Sequence, residues 1–206
     1  MSDDLAGSIA GCREATGRLL AALEVIDDPV AARPSLLPGW SVGHVLTHLA
    51  RNADSFVRIL RSAAEGKKAR QYEGGDAERN SDIEQGAARP AAAIVDDLRT
   101  SAARLDSAWD ETPPIVWQRN GLRNDGSPFP CRALPVSRWR EVEVHHVDLG
   151  LGYAISDWPE DFVTSDLPHA LERLPRMIAD ASQRADLLAW VYGRADLPAE
   201  IDLRPI

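Results

Sequence analysis

The chain has 206 residues, of which 44% are hydrophobic and 27% are charged, and this is the composition of a soluble, folded protein. Its 23 Lys and Arg against 32 Asp and Glu give a net charge of −9, which disfavours binding to nucleic acid or to an anionic membrane. No apolar run approaches the length of a bilayer span, and the N-terminus lacks a signal core, so we expect a cytoplasmic protein. The two cysteines form no CxxC pair, so any metal must be held by nitrogen and oxygen.

The spacing of apolar residues predicts four main helices, separated by proline and glycine. Ser41 is a good N-cap for the second of them, because its hydroxyl can accept a hydrogen bond from the first turn. Pro135 can open the fourth, since a proline is tolerated in a first helical turn. The four predicted helices cover, in chain order, residues 3–27, 41–64, 90–109 and 135–147.

The segments between these helices differ in character. Residues 66–80 are polar and are predicted to form a loop, whereas residues 112–134 are rich in proline and glycine and include Asn120-Gly121, which favours a short hairpin. Beyond residue 155 we predict helices over 165–183 and 186–193 and a short strand over 201–203. The fold class is therefore mainly α: a four-helix bundle over residues 1–155, followed by a reduced, mixed α and β region over residues 156–206.

Four of the five histidines fall in two of the predicted helices. His44 and His48 are four residues apart on the second helix, and His145 and His146 are adjacent on the fourth. Two carboxylate–histidine pairs are then available on the fourth helix: Glu141 with His145, four residues apart, and Glu143 with His146, three apart. Adjacent helical residues point about 100° apart, so His145 and His146 should not both face one metal.

Asp148 favours the first pair, because a carboxylate three residues after His145 can accept the second ring N–H of a ligating histidine. On the second helix, His48 lies one turn deeper than His44 and is better placed to meet the fourth helix. A site of His48, Glu141 and His145 would have the ligand set of a catalytic zinc centre with an open position. The alternative is a metal-free binding bundle in which the histidines are structural.

Two segments resemble the metal motifs of the mycothiol-dependent maleylpyruvate isomerases, which belong to the DinB-like superfamily. They are LPGWSVGHVLTHLARNAD at residues 37–54 and REVEVHHVDL at residues 140–149. A third segment, LLAWVYGR at residues 187–194, resembles part of the C-terminal region of these enzymes. The resemblance implies a DinB-like four-helix bundle with a short α/β C-terminal extension.

The resemblance also implies a function. His48, Glu141 and His145 would bind Zn²⁺ or another divalent metal, and the metal would hold mycothiol, a low-molecular-weight thiol, as a thiolate. The thiolate would add reversibly to the electron-poor double bond of maleylpyruvate, a small anionic electrophile from aromatic degradation, and so catalyse its cis–trans isomerisation. Neither nucleic acid nor membrane is an expected partner, and we expect a monomer or homodimer.

Three arginines are candidates for contacts with the thiol or the substrate. Arg51 and Arg140 flank the ligands and would bind the cofactor, and Arg194 would correspond to a catalytic arginine of the C-terminal region. Each of them could equally be a solvated surface residue. Family isomerases carry a larger C-terminal domain than residues 156–206, so a thiol S-transferase of detoxification or natural-product biosynthesis is the alternative reading of the same scaffold.

Overall fold

The computed structural model of the protein describes residues 4–196 and confirms the mainly α architecture with a helical bundle. Within this part of the chain the structure has eight α-helices and one two-stranded sheet. The helices are α1 (Leu5–Ala22), α2 (Asp28–Ala31), α3 (Val42–Ala64), α4 (Gly75–Ala87), α5 (Ala91–Glu111), α6 (Leu134–Asp148), α7 (Glu160–Met177) and α8 (Ala181–Val191). The strands are β1 (Asn120–Leu122) and β2 (Pro128–Pro130).

The chain divides into two compact units, the first ending at Trp158 and the second starting at Pro159. The first unit contains the bundle of α1, α3, α5 and α6, with α4 packed against α3. The described part of the second unit consists of α7 and α8. Among residues 4–196 no helix is both long enough and apolar enough to cross a membrane.

Helix α3 is the centre of the first unit, because it packs against α4, α5 and α6. Its apolar side chains are buried on several faces, as expected of a helix surrounded by others. The predicted N-cap is confirmed: the Ser41 hydroxyl accepts from His44 N, and His44 Nδ1 accepts from Ser41 N at 3.2 Å. This reciprocal cap satisfies backbone N–H groups that have no partner within the first turn of α3.

Arg138 joins α6 to α3 inside the bundle. Its side chain is only 1% exposed, and its Nη1 donates to Leu49 O at 2.7 Å and to Asn52 Oδ1 at 2.8 Å. Leu49 O lies in the interior of α3, so the contact fixes one helix against the other at a single level. That level is one residue beyond His48 on α3 and three residues before Glu141 on α6.

The predicted loop over residues 66–80 is wrong in its second half, since α4 starts at Gly75. Only Ile83 and Gly86 of this helix are buried, so its sequence carries almost no apolar periodicity from which a helix could be recognised. The hairpin over residues 112–134 is present, but Gly121 lies in β1 and the turn covers residues 123–126. A Cβ at Gly121 would overlap Ile59, so this glycine is required by packing.

In the second unit, one predicted helix over 165–183 is replaced by α7, with Pro168 and Pro175 inside it, and by the start of α8. Asp180 separates the two helices and caps α8, because its carboxylate accepts from Ser182 N. The predicted short helix over 186–193 therefore belongs to a longer α8. The predicted strand over 201–203 lies outside the described residues.

The close approach of α1 to α6 yields a stability prediction. A Cβ on Gly11 would overlap the indole ring of Trp139, whereas a Cβ on Gly17 of the same helix would meet nothing within 4 Å. We expect Gly11→Ala to lower the free energy of unfolding by about 1–3 kcal/mol through overpacking. Gly17→Ala, the matched control, should raise it by about 0.5–1 kcal/mol through helix propensity. Urea denaturation of the two variants measures both, and equal midpoints would contradict the close contact.

Candidate metal centre

Three side chains from two helices meet between α3 and α6. The Nε2 atom of His48 lies 2.9 Å from Glu141 Oε2, and the Nε2 atom of His145 lies 3.4 Å from the same oxygen. One ligand atom from each of the three residues lies within 4.8 Å of the other two. The rings of His48 and His145 stand almost perpendicular, with their centroids 4.8 Å apart. Two imidazole nitrogens and a carboxylate oxygen thus converge on one point.

The helices explain why these three residues meet. Glu141 and His145 are one turn apart on α6, so both face the same direction, and that direction is toward α3. His48 lies in the second turn of α3, and its side chain is 7% exposed. The side chain of Glu141 is 31% exposed. The centre is therefore closed on the α3 side and reachable from the Glu141 side.

Asp148 orients His145, as its spacing in the sequence predicts. Asp148 Oδ2 lies 2.7 Å from His145 Nδ1, so the carboxylate can accept the N–H of that nitrogen. This contact leaves His145 Nε2 directed toward Glu141 and His48. A carboxylate on the remote nitrogen of a histidine is a common outer partner in metal sites, where it fixes both the ring and the tautomer.

The charges at the centre are strongly coupled. Burial would raise the pKa of Glu141, but contacts with His145 and His48 hold it well below its usual range. Burial would lower the pKa of His145, but Asp148 and Glu141 outweigh it and raise that pKa to about 9. Burial does lower the pKa of His48, although its contact with Glu141 opposes this. Without metal, protonated His145 therefore directs one ring N–H at Asp148 and the other at Glu141.

Three further residues border the centre and were not recognised in the sequence. Arg79 of α4 places Nη2 3.3 Å from His48 Nδ1, and its guanidinium lies over the ring of Trp40 at 5.7 Å. Trp40 also packs edge-on against His48, with ring centroids 5.7 Å apart. Tyr72 is buried, and its hydroxyl has no hydrogen-bond partner among the described residues, although it lies within electrostatic reach of Arg79 and Glu141. Arg79 and Tyr72 both fall in the segment that was predicted as loop.

The second carboxylate–histidine pair of α6 has a different role. Glu143 is buried and accepts hydrogen bonds from Arg18 at 2.5 Å, from the Tyr153 hydroxyl at 2.6 Å and from the Trp139 indole at 3.2 Å. The ring of His146 stacks on Tyr153 at a centroid distance of 3.9 Å. Both side chains thus join α6 to α1 and to the segment after α6, on the side of the helix away from His48.

His44 and Arg51 have other partners than the three residues of the centre. His44 caps α3 and contacts Glu84 at 3.3 Å. Arg51 is held by Asp97 at 2.6 Å and by Asp54 at 3.1 Å.

Arg140 is half-buried on α6 and interacts electrostatically with Arg123, and Arg194 is exposed after the end of α8, in the second unit. Their roles, and that of Arg51, stay predictions.

A matched pair of substitutions on α6 separates the two carboxylates. Glu141→Gln should weaken the affinity for Zn²⁺ by at least about 100-fold, because it removes a charged donor from the centre. Glu143→Gln should keep the metal affinity but lower the free energy of unfolding by about 1.5–3 kcal/mol, because it weakens a buried, charged hydrogen-bond network. Chelator competition and urea denaturation measure the two effects, and loss of metal in Glu143→Gln would contradict this assignment.

The raised pKa of His145 predicts how metal affinity depends on pH. Below its pKa of about 9, His145 carries a proton that must leave before Nε2 can coordinate a metal. The apparent Zn²⁺ association constant should therefore rise about tenfold per pH unit between about pH 7 and pH 8.5, and level off above about pH 9. Competition with a chelator of known proton affinity measures this, and an affinity that falls or stays flat as pH rises would contradict it.

The protein is similar to one family model and to two solved structures. The family model described as the mycothiol maleylpyruvate isomerase N-terminal domain matches residues 12–150. A crystal structure of the mycothiol-dependent maleylpyruvate isomerase superposes with a TM-score of 0.73 at 30% identity, covering 78% of this chain and 67% of that one. A structure of a histidine-to-alanine mutant of the mycothiol-dependent maleylpyruvate isomerase superposes with the same TM-score at 29% identity and the same coverage. A search of curated proteins gave no match.

The matched region contains α3 and α6 and with them all three residues of the candidate centre. The family model covers more than half of the chain, and the superposition confirms the fold that the two sequence motifs implied. The chain belongs to the mycothiol maleylpyruvate isomerase family.

Proposed function

We propose that this protein is a metal- and thiol-dependent cis–trans isomerase of the maleylpyruvate isomerase type. The observation that carries the proposal is the convergence of His48, Glu141 and His145 within 4.8 Å, in a chain that belongs to this family. The proposal names His48, Glu141 and His145 as metal ligands, a divalent metal such as Zn²⁺ as the cofactor, and mycothiol as the thiol.

The donor set fits such a metal. Two imidazoles and one carboxylate are common ligands of catalytic zinc, and neither Cys12 nor Cys131 belongs to the group. The Asp148–His145 contact supplies the outer support that such ligands usually have. Three protein donors leave a coordination position free, where a divalent cation would stabilise a bound thiol as its thiolate at neutral pH.

The residues around the centre determine which ring nitrogens of His145 and His48 carry protons and which charged groups can bind there. His145 would lose the proton on Nε2 if this nitrogen became a ligand. It would keep the proton on Nδ1, which Asp148 accepts in a hydrogen bond. Ligation through His48 Nε2 likewise requires the proton of His48 to be on Nδ1, where it faces the N–H groups of Arg79. Two donors cannot bond each other, so Arg79 loses this acceptor when His48 becomes a ligand. Its guanidinium is then available to an anionic substrate beside Trp40.

An electrophile such as maleylpyruvate carries carboxylates, and the protein as a whole is acidic. Local positive charge is therefore needed at the centre, and Arg79 contacts the proposed ligand His48. Tyr72 adds a neutral donor, because burial raises its pKa to about 12 and its hydroxyl is unused by the described residues. We keep Arg140 as a proposed contact to the thiol and Arg194 as the proposed catalytic arginine. Arg51 is the second proposed contact to the thiol, and it would have to leave Asp97 or Asp54 to bind it.

An assay with maleylpyruvate, mycothiol and Zn²⁺ tests the proposal. We expect conversion to the trans isomer over many turnovers, with the concentration of free mycothiol unchanged. His48→Ala should lower kcat/KM by at least about 100-fold, because it removes a ligand. His44→Ala is the matched control, since it makes the same change one turn earlier on α3, and it should keep most of the activity.

The same assay separates the isomerase from the S-transferase alternative. An S-transferase on this scaffold would consume mycothiol one-for-one into a stable conjugate. That outcome would contradict the isomerase proposal while leaving the metal centre intact. Equal activity of wild-type protein and His48→Ala would contradict both.

A further inference from the structure

A cavity of about 360 Å³ lies between α1 and α5, lined only by residues of the first unit and by none of the three proposed ligands. On the α1 side, Arg13, Thr16, Gly17 and Leu20 follow one another at helical spacing along one face. The remaining lining residues are Cys12, Arg99, Ala102, Ala103, Leu105, Asp106, Trp109 and Arg138. Gly17 and Ala103 are exposed, so the cavity reaches the surface, and its volume is within the range of small-molecule sites.

Arg138 contributes a buried positive charge to this cavity. The side chain is 1% exposed, and both acceptors of its Nη1 atom are neutral. Its Nη2 atom is buried and has no hydrogen-bond partner among residues 4–196. Glu141 lies within electrostatic reach, but its carboxylate is engaged with His48 and His145. A buried guanidinium normally has a carboxylate partner, and all of its donors are normally used. The contacts of Arg138 within the bundle therefore do not account for its unpaired Nη2 donor.

The remaining charges around the cavity favour an anion. Arg13, Arg99 and Arg138 line the cavity together with one acidic residue, Asp106. Arg13 is paired both with Asp106 and with Asp110, which is outside the lining, so Arg99 and Arg138 are the cationic residues on which the anion preference rests. Cys12 lies near Arg138, but burial raises the pKa of this thiol to about 11, so it supplies no negative charge at pH 7. Leu20, Ala102, Leu105 and Trp109 add apolar side chains to the lining. The cavity therefore combines an apolar lining with a buried arginine that has an unsatisfied donor.

We propose that this cavity is a second ligand site, distinct from the metal centre, that binds a small apolar carboxylate. The carboxylate would accept hydrogen bonds from Arg138 Nη2, and the apolar part would pack among Leu20, Leu105 and Trp109. A carboxylate satisfies the charge and the idle donor together, whereas an alcohol or a water molecule satisfies only the donor. The site needs neither the metal nor the thiol of the proposed reaction.

Isothermal titration of the whole protein with octanoate, and with 1-octanol as the uncharged counterpart, tests this proposal. We expect one octanoate per chain and an affinity for octanol at least about tenfold weaker, a difference of about 1.4 kcal/mol. Gly17→Leu should lower octanoate affinity at least about tenfold by filling the cavity, since a side chain at Gly17 has open space before it. Ala21→Leu, an equal apolar addition on an exposed position of α1 outside the cavity, should leave the affinity unchanged.

Carboxylates also bind metals, so His48→Ala serves as a second control and should leave octanoate binding intact. Arg138→Met should abolish the preference for octanoate over octanol. If this variant does not fold, the lower octanoate affinity expected of Gly17→Leu still tests the site. Four outcomes would overturn the proposal: no saturable binding of octanoate, equal affinity for octanol, octanoate binding that Gly17→Leu leaves unchanged, or octanoate binding that His48→Ala removes. With no saturable binding, a water molecule would be the only remaining partner for Nη2 of Arg138.

Discussion

The packing of α3 against α6 is the constraint on which the rest of the first unit depends. Arg138 fixes the two helices at one level through its bonds to Leu49 O and Asn52, and the proposed ligands follow immediately from that level. His48 precedes Leu49 by one residue, and Glu141 follows Arg138 by almost one turn. A shift of α6 by a single residue would rotate Glu141 and His145 by about 100° and separate them from His48. The buried guanidinium therefore sets the geometry of the centre without contributing a ligand.

Helix α6 carries two carboxylate–histidine pairs, and they face in different directions. Glu141 and His145 face α3, where they converge with His48 and where Asp148 contacts His145. Glu143 and His146 face the other way, where Arg18 and Tyr153 donate hydrogen bonds to Glu143 and the Tyr153 ring stacks on His146. The two carboxylate–histidine pairs of α6 therefore have different surroundings. The first pair meets a third candidate ligand, whereas the carboxylate of the second is engaged by hydrogen-bond donors from neighbouring segments.

The parts of the structure that could be predicted are those encoded by local spacing. The Ser41 cap, the main helices of the bundle, the pairing of Glu141 with His145 and the Asp148–His145 contact all follow from separations of three or four residues on a helix. Helix α4 could not be recognised, because it buries few apolar side chains, and Arg79 was missed with it. The engagement of Arg51 by Asp97 could not be predicted either, since residues 46 positions apart are brought together only by the packing of α3 on α5.

We propose that His48, Glu141 and His145 form one metal centre with nitrogen and oxygen ligands only. X-ray absorption spectroscopy of the zinc-loaded protein, before any thiol is added, measures these ligands. We expect a first shell of nitrogen and oxygen at about 2.0–2.2 Å, with the outer scattering of two imidazoles. His48→Ala should remove one of the two imidazole contributions. A sulfur shell at about 2.3 Å, or a zinc spectrum that His48→Ala leaves unchanged, would contradict it.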